Sequence, residues 1–322
     1  MEKHSESRRP MWPLWGILLA LVLASAAGAF ARWPLRCVSA LSQARLFLQG
    51  VHSRSRTVEG LETHYLEGGQ GEPVVLVHGL GSQALDWARL LPRLVKAGYH
   101  VYAMDLPGYG STAAPPDRSY SIPEQARFVE SFLTALGLDR VALLGISMGG
   151  WISATVALEQ PQRVTRLVLM DSAGFPFQRD FDLAVLAPKT PAEVDALMSL
   201  VTPHPTPIPL FVKEDVIRHF AKRRWVVERA LRSMADTTGY LDSRLSSLKV
   251  PLLLVWGKQD ALTPLALGEA MHRAVPDSVL EVYEGCGHVA PMFCEPRVGP
   301  NIIRFLSGNG PVAGSTVMVP AE

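Results

Sequence analysis

Val141-Ala142-Leu143-Leu144-Gly145-Ile146-Ser147-Met148-Gly149-Gly150 decides how the rest of the chain is read. An apolar run of strand length enters Gly-x-Ser-x-Gly, and a helix-compatible segment, Trp151 to Glu159, follows at once. A serine at a tight strand-to-helix turn is the nucleophile-elbow pattern. Gly145 and Gly149 leave room for the backbones around the turn to approach, where any side chain would collide. The strained turn lifts the serine oxygen above the sheet edge. The Met148 amide, at the helix start, then points to where negative charge develops on an attacked carbonyl.

Outward from this stretch, strands and helices alternate. Val58 to Leu66 reads as a hairpin around Glu59-Gly60. Pro73 to Val77 is a strand running into His78-Gly79-Leu80-Gly81, Leu85 to Lys96 is helical, and Tyr99 to Met104 is a strand. Ile122 to Leu136 is a helix opened by Ser121 and Pro123 and stopped by Gly137. A strand from Arg166 to Met170 ends at Asp171. From Gly174 to Ser243 the rhythm stops, and helical stretches at Pro191–Val201 and Phe211–Met234 flank a proline-rich segment, Pro203 to Pro209. It returns with strands at Val250–Trp256 and Val279–Tyr283 and helices at Pro264–Ala274 and Arg297–Leu306. Such alternation predicts an α/β fold with a mainly parallel sheet of about eight strands, helices on both faces, and a helical cap insertion.

Ligands of such sheets bind beyond the carboxyl ends of the strands, and Leu80, Asp105, Ser147, Asp171, Asp260 and His288 all follow strands there. A serine hydroxyl needs a base, itself oriented by a carboxylate. Of nine histidines, His288 in Gly285-Cys286-Gly287-His288 is the candidate base, and His78 reads as structural. Asp260 is the candidate acid, with Asp171 as its rival; Asp105 and Asp86 read as loop and helix-cap carboxylates. The Leu80 amide, between Gly79 and Gly81, is the candidate second oxyanion donor beside Met148.

His78-Gly79-Leu80-Gly81, Gly145 to Gly150, Gly257-Lys258-Gln259-Asp260 and Gly287-His288 resemble the α/β-hydrolase family over Val58 to Leu306. The order Ser147, Asp260, His288 is the family's own. Within it, the apolar N-terminus, Lys189-Thr190-Pro191-Ala192-Glu193, Trp256 to Asp260 and Cys286-Gly287-His288 are similar to the membrane-anchored abhydrolase type of monoacylglycerol lipase. That resemblance implies hydrolysis of a single-chain acylglycerol ester, with no metal or organic cofactor. Ile146 and Trp151 depart from its elbow. Phe175, Phe177, Trp151, Leu210 and Phe211 are the candidate substrate-binding residues. Leu197, Leu200, Val201, Ile208 and Val212 also suit either an acyl chain or the core of the cap. A carbon–carbon bond hydrolase of the same fold and a non-catalytic ligand-binding protein are the competing functions.

Met11 to Ala31 is apolar and uncharged, with Lys3, Arg8 and Arg9 before it and Arg32 and Arg36 after. About 20 helical residues rise roughly 30 Å, the thickness of a bilayer's hydrocarbon core. Trp12, Trp15 and Trp33 lie near its ends, where interfacial aromatics sit. A single-pass transmembrane helix is expected, with a cleaved signal peptide as the alternative because Ala24-Ser25-Ala26 and Ala29-Phe30-Ala31 resemble cleavage sites. With the N-terminus inside, the catalytic domain lies on the non-cytoplasmic side. The chain then divides into an anchor (1–31), a juxtamembrane linker (32–57), a hydrolase core (58–173 and 244–308), a cap (174–243) and a flexible tail (309–322).

Lysine plus arginine number 31 against 30 acidic residues, so nothing electrostatic points to nucleic acid. The expected partners are a lipid or ester substrate and a bilayer; the oligomeric state stays open. Cys37, Cys286 and Cys294 form neither a disulfide framework nor a zinc site. A Cys286–Cys294 bridge stays open if the domain sits in an oxidising compartment. Lys222-Arg223-Arg224-Trp225 reads as a solvated basic turn or a contact for anionic headgroups.

Overall fold

The computed structural model describes residues 24–235 and 240–321. Strands β1 (Val51–Val58), β2 (Leu61–Gly68), β3 (Pro73–Val77), β4 (His100–Met104), β5 (Val141–Ile146), β6 (Val164–Met170), β7 (Leu252–Gly257), β8 (Val279–Tyr283) and β9 (Thr316–Val319) share one sheet, in the order β1-β2-β4-β3-β5-β6-β7-β8-β9. The β1–β2 and β2–β4 pairs are antiparallel, and every later pair is parallel. Parallel neighbours need crossovers. These are α3 (Leu90–Lys96), α4 (Ile122–Ala135), α5 (Met148–Glu159), α9 (Leu265–Ala274) and the pair α10 (Ala290–Phe293) and α11 (Glu295–Leu306), with the cap itself connecting β6 to β7.

Side chains alternate across a strand, and the buried β5 feeds two cores this way. Val141 and Leu143 join Phe128 and Phe132 of α4 on one face. Ala142, Leu144 and Ile146 join Leu90 of α3 and Ile302 of α11 on the other. Truncating Phe128 or Phe132 to alanine would cost about 3–5 kcal/mol. Helix α5 is buried from Met148 to Ala157 and apolar all round, as a helix at the centre of a fold must be. Ser121 caps α4, its hydroxyl accepting from Glu124 N–H at 3.4 Å.

The cap lies between β6 and β7 and carries α6 (Pro191–Val201), α7 (Leu210–Ala221) and α8 (Arg224–Met234). The single helical stretch expected over Phe211–Met234 is thus two helices. They part where Arg223 leaves helical geometry, its φ being −128°. Its guanidinium donates to Thr112 O (3.0 Å), and that of Arg224 to Pro188 O (2.9 Å). Arg223 thus ties the cap to the core and Arg224 ties one part of the cap to another, rather than forming a solvated turn.

Three further expectations change. The hairpin begins at Val51 rather than Val58, inside the segment read as a linker; Ser53 to Thr57 lie exposed, so no burial alternation marks them. The 3₁₀ turn Ala84–Trp87 precedes α3, replacing one continuous helix. The tail read as flexible supplies β9, paired with β8 from Thr316↔Leu280 to Val319↔Tyr283, so the sheet has nine strands.

Residues 1–23, the greater part of the expected anchor, lie outside the described residues. Among the described residues no helix is long and apolar enough to cross a membrane. Helix α1 (24–32) leads into α2 (Pro34–Leu48), and both are held against the cap. Asp215 of α7 accepts from Leu35 N–H (3.0 Å), Arg218 donates to Arg32 O (3.1 Å), and the Phe30 and Phe211 rings meet edge-on at 6.1 Å.

Candidate active site

Between β5 and α5, Ser147 stands alone at φ +55° and ψ −121°. A residue with a side chain rarely adopts this backbone, so the surroundings must hold it. Ser147 N–H donates to Met170 O of β6 (3.0 Å), and its carbonyl accepts from Ala173 N–H (3.1 Å). A Cβ on Gly149 would run into the carbonyls of Val77 and His78, and one on Gly145 into the carbonyl of Gly149. The loop after β3 passes so close that a Cβ on Gly79 would lie 3.2 Å from Ser147 Cβ.

His288 and Asp260 are buried at the ends of β8 and β7. His288 Nδ1 is 2.9 Å from Asp260 Oδ2. The other carboxylate oxygen, Oδ1, accepts from Leu262 N–H and Thr263 N–H, both at 2.8 Å. Thr263 was not singled out by its sequence, yet its hydroxyl joins both residues, lying 2.7 Å from Asp260 Oδ2 and 3.0 Å from His288 Nδ1. Trp256 Nε1–H donates to Thr263 O (2.8 Å) and fixes this turn. Asp three residues before a threonine is a local turn signature that could have flagged it.

Asp171, the rival acid, does something else. Its carboxyl accepts from Gly257 N–H (2.8 Å) and Ala290 N–H (3.3 Å), bracing the ends of β7 and α10. Burial, and then the charge of nearby Asp260, raises this carboxyl well above the usual range. His78 is structural as expected. Nδ1 donates to Gly79 O (2.8 Å) and Nε2 accepts from Leu106 N–H (3.1 Å), which fixes the tautomer and the loop. Burial pushes this imidazole below its ordinary pKa, so it stays neutral.

Asp105 anchors the same region. It accepts from Ala84 N–H (2.6 Å), Ser111 N–H (2.8 Å) and His64 Nδ1–H (2.7 Å). Burial alone would raise this carboxyl, but the bonds from His64, Ala84 and Ser111 hold it below the carboxylate range. Cys286 and Cys294 form a disulfide, which closes the loop carrying His288. The option left open by sequence is therefore the one adopted.

A cavity of about 450 Å³ opens over the sheet edge, and Ser147, His288, Leu80 and Met148 all line it. Trp151, Phe175 and Phe177 line it as expected, the Trp151 ring stacked on Tyr240 at 5.1 Å. The cap contributes Leu197, Val201, Val216 and Phe220. Leu210 and Phe211 do not line it: Leu210 is 59% exposed, and Phe211 turns outward to Phe30. Both sit in the first turn of α7, whose inward residues come later, at Val216 and Phe220. Leu200, Ile208 and Val212 are likewise absent from the lining.

Comparison with known proteins agrees with this architecture. A family model for the alpha/beta hydrolase fold matches residues 72–293. The crystal structure of a membrane phospholipase A, a bacterial virulence factor, is 30% identical with a TM-score of 0.77, covering 92% of this chain and 99% of its own. A serine hydrolase involved in carbazole degradation is 28% identical with a TM-score of 0.69, covering 80% of this chain and 99% of its own. The 2-hydroxy-6-oxononadienedioate/2-hydroxy-6-oxononatrienedioate hydrolase of Klebsiella pneumoniae subsp. pneumoniae is 31% identical over 284 residues, 77% of this chain and 91% of that protein. With a serine at the strained β5–α5 elbow and a match spanning both sides of the cap, the chain belongs to the α/β-hydrolase family and is a hydrolase.

Proposed function

We propose that the chain is a serine hydrolase that cleaves carboxylic esters through an acyl-enzyme, acting on monoacylglycerol-like lipids. The observation that carries this reading is an apolar cavity, walled by Phe175, Phe177, Leu197 and Val201, that Ser147 and His288 also line. A fatty acyl chain matches such a wall, since each buried methylene gains about 0.8 kcal/mol.

In this reading Ser147 Oγ attacks the ester carbonyl carbon while its proton passes to His288 Nε2. The amides of Leu80 and Met148 hold the oxyanion, and losing one such donor typically costs about 10²–10³ in rate. As the carbon–oxygen bond to the alcohol breaks, His288 returns the proton to the leaving oxygen. Water then attacks the acyl-enzyme by the same route, giving the free acid and restoring Ser147. Asp260 keeps the His288 proton on Nδ1 and stabilises the imidazolium.

Residues 1–31 are proposed to anchor the chain in a bilayer, with the hydrolase domain on the non-cytoplasmic side. Exposed Phe30 on α1, Trp33 at the break before α2, Leu41 on α2 and Leu210 on α7 support a face at the lipid interface. The Cys286–Cys294 disulfide supports an oxidising compartment.

A fluorophosphonate probe should label the wild type, and Ser147→Ala should abolish labelling. Esters of increasing acyl length should then separate a lipase from a short-chain esterase. The relationship to the Klebsiella dioate hydrolase favours a second reading, hydrolysis of a carbon–carbon bond in a vinylogous diketone. Turnover of such a diketone with no ester hydrolysed would replace the first reading with the second.

A further inference from the structure

The cavity has one carboxyl that the proposed chemistry leaves without a task. Asp86 lies in the 3₁₀ turn after the Gly79–Gly81 loop, and with Ser82 it lines the same cavity as Ser147. It is deep in the molecule yet partly accessible, because it opens on the cavity. Ser82 Oγ–H donates to its Oδ2 at 2.5 Å and Gln83 N–H donates to the same oxygen at 3.2 Å. Among the described residues no hydrogen bond reaches Oδ1 and no lysine or arginine pairs with this carboxyl. Oδ1 is not sealed in the core, and a carboxyl oxygen left without a protein partner at a cavity wall is open to a ligand hydroxyl or water.

We propose that Asp86, steadied by Ser82, is a subsite for the free hydroxyl groups on the alcohol portion of the ester. This rests on the ester-hydrolase reading and adds the polar half of the substrate to it. The geometry divides the labour. Aromatic and aliphatic side chains take the acyl chain, while the turn beside the nucleophile loop takes the hydroxyls of the leaving alcohol. Burial raises the Asp86 carboxyl above its ordinary range, which the bond from Ser82 opposes. A hydroxyl suits such a group better than a cation, because it can donate to the ionised form and accept from the protonated one. A substrate carboxylate placed at this turn would meet a second acid and be repelled.

The test compares two esters of one acyl chain, 1-lauroylglycerol and methyl laurate, on the full-length protein in detergent micelles. The quantity read is the ratio of their kcat/KM values, which a general loss of folded enzyme does not move. Asp86→Ala should lower the glycerol-to-methyl ratio about 10-fold, the effect of one hydrogen bond to a carboxyl. Asp86→Asn, which preserves shape and an acceptor oxygen, should lower it less, and it serves if the alanine variant does not fold. An unchanged ratio in both variants would overturn the subsite and make Asp86 only a cap of its turn. A choline ester that loses more than the glycerol ester would overturn it in favour of a cation site. If the wild type cleaves neither ester but reacts with the diketone, the ester reading itself fails, an outcome separate from either of these.

Discussion

Thr263 stands as close to His288 as the carboxylate does: Oγ1 lies 3.0 Å from Nδ1, against 2.9 Å for Asp260 Oδ2. The hydroxyl also bonds Asp260 at 2.7 Å, so it holds imidazole and carboxylate in one geometry. Thr263→Val keeps the shape and loses those bonds. It should reduce kcat about 10-fold with KM little changed, and Thr263→Ser should recover most of the loss. Asp260→Asn, which inverts the tautomer, should cost roughly 10⁴-fold. Steady-state kinetics on one ester would rank the three, and equal losses for Val and Ser would contradict the assignment.

The disulfide closes a loop whose ends are eight residues apart. Chain-entropy reasoning gives such a closure about 2.5 kcal/mol of stability. Cys286→Ser with Cys294→Ser, or treatment with reductant, should therefore lower the melting temperature, and activity should fall with it because His288 sits within the loop. Calorimetry with and without dithiothreitol measures the first effect. Identical curves would mean that the loop is fixed by its packing alone.

Asp105 predicts a pH signature. Its folded-state pKa is depressed, so its stabilising contribution is present above the unfolded value, about 3.9, and is lost as pH falls through the lower folded value. Asp105→Asn should therefore melt well below the wild type at pH 7. The gap between the two should close on acidification below the ordinary carboxylate range. Melting curves at a series of pH values would reveal it, and a gap independent of pH would refute it.

Phe220 and Phe211 share helix α7, yet only Phe220 reaches the cavity. Phe220→Ala should enlarge the chamber and shift the preferred acyl length upward. Phe211→Ala should leave that preference where it was. An ester series from four to sixteen carbons, taken roughly at even steps, would distinguish them. A shift with Phe211 and none with Phe220 would reverse the assignment of the two faces.

Much of the site was legible in the chain because chemistry constrains it locally. Gly145, Ser147 and Gly149 sit where a backbone collision forbids alternatives, and strand-end positions brought Asp260 and His288 within view. Thr263 and Asp86 were less visible, since their roles depend on a turn and a cavity wall that no periodicity encodes. Leu210 and Phe211 misled because an apolar residue in the first turn of a helix can face either way. Edge strands were hard for a related reason. Most of β1 and alternate residues of β9 meet solvent, so their composition carries little burial signal.

Helix α7 holds Phe220 against the loop beside the nucleophile, where a Cβ on Gly81 would lie 3.1 Å from its ring, while Asp215 and Arg218 grip the backbone of the N-terminal helices. One helix thus carries both a wall residue of the cavity and the contacts that hold α1 and α2. A tilt of the N-terminal helices that carried α7 with it would change how Phe220 packs on Gly81 at the cavity wall.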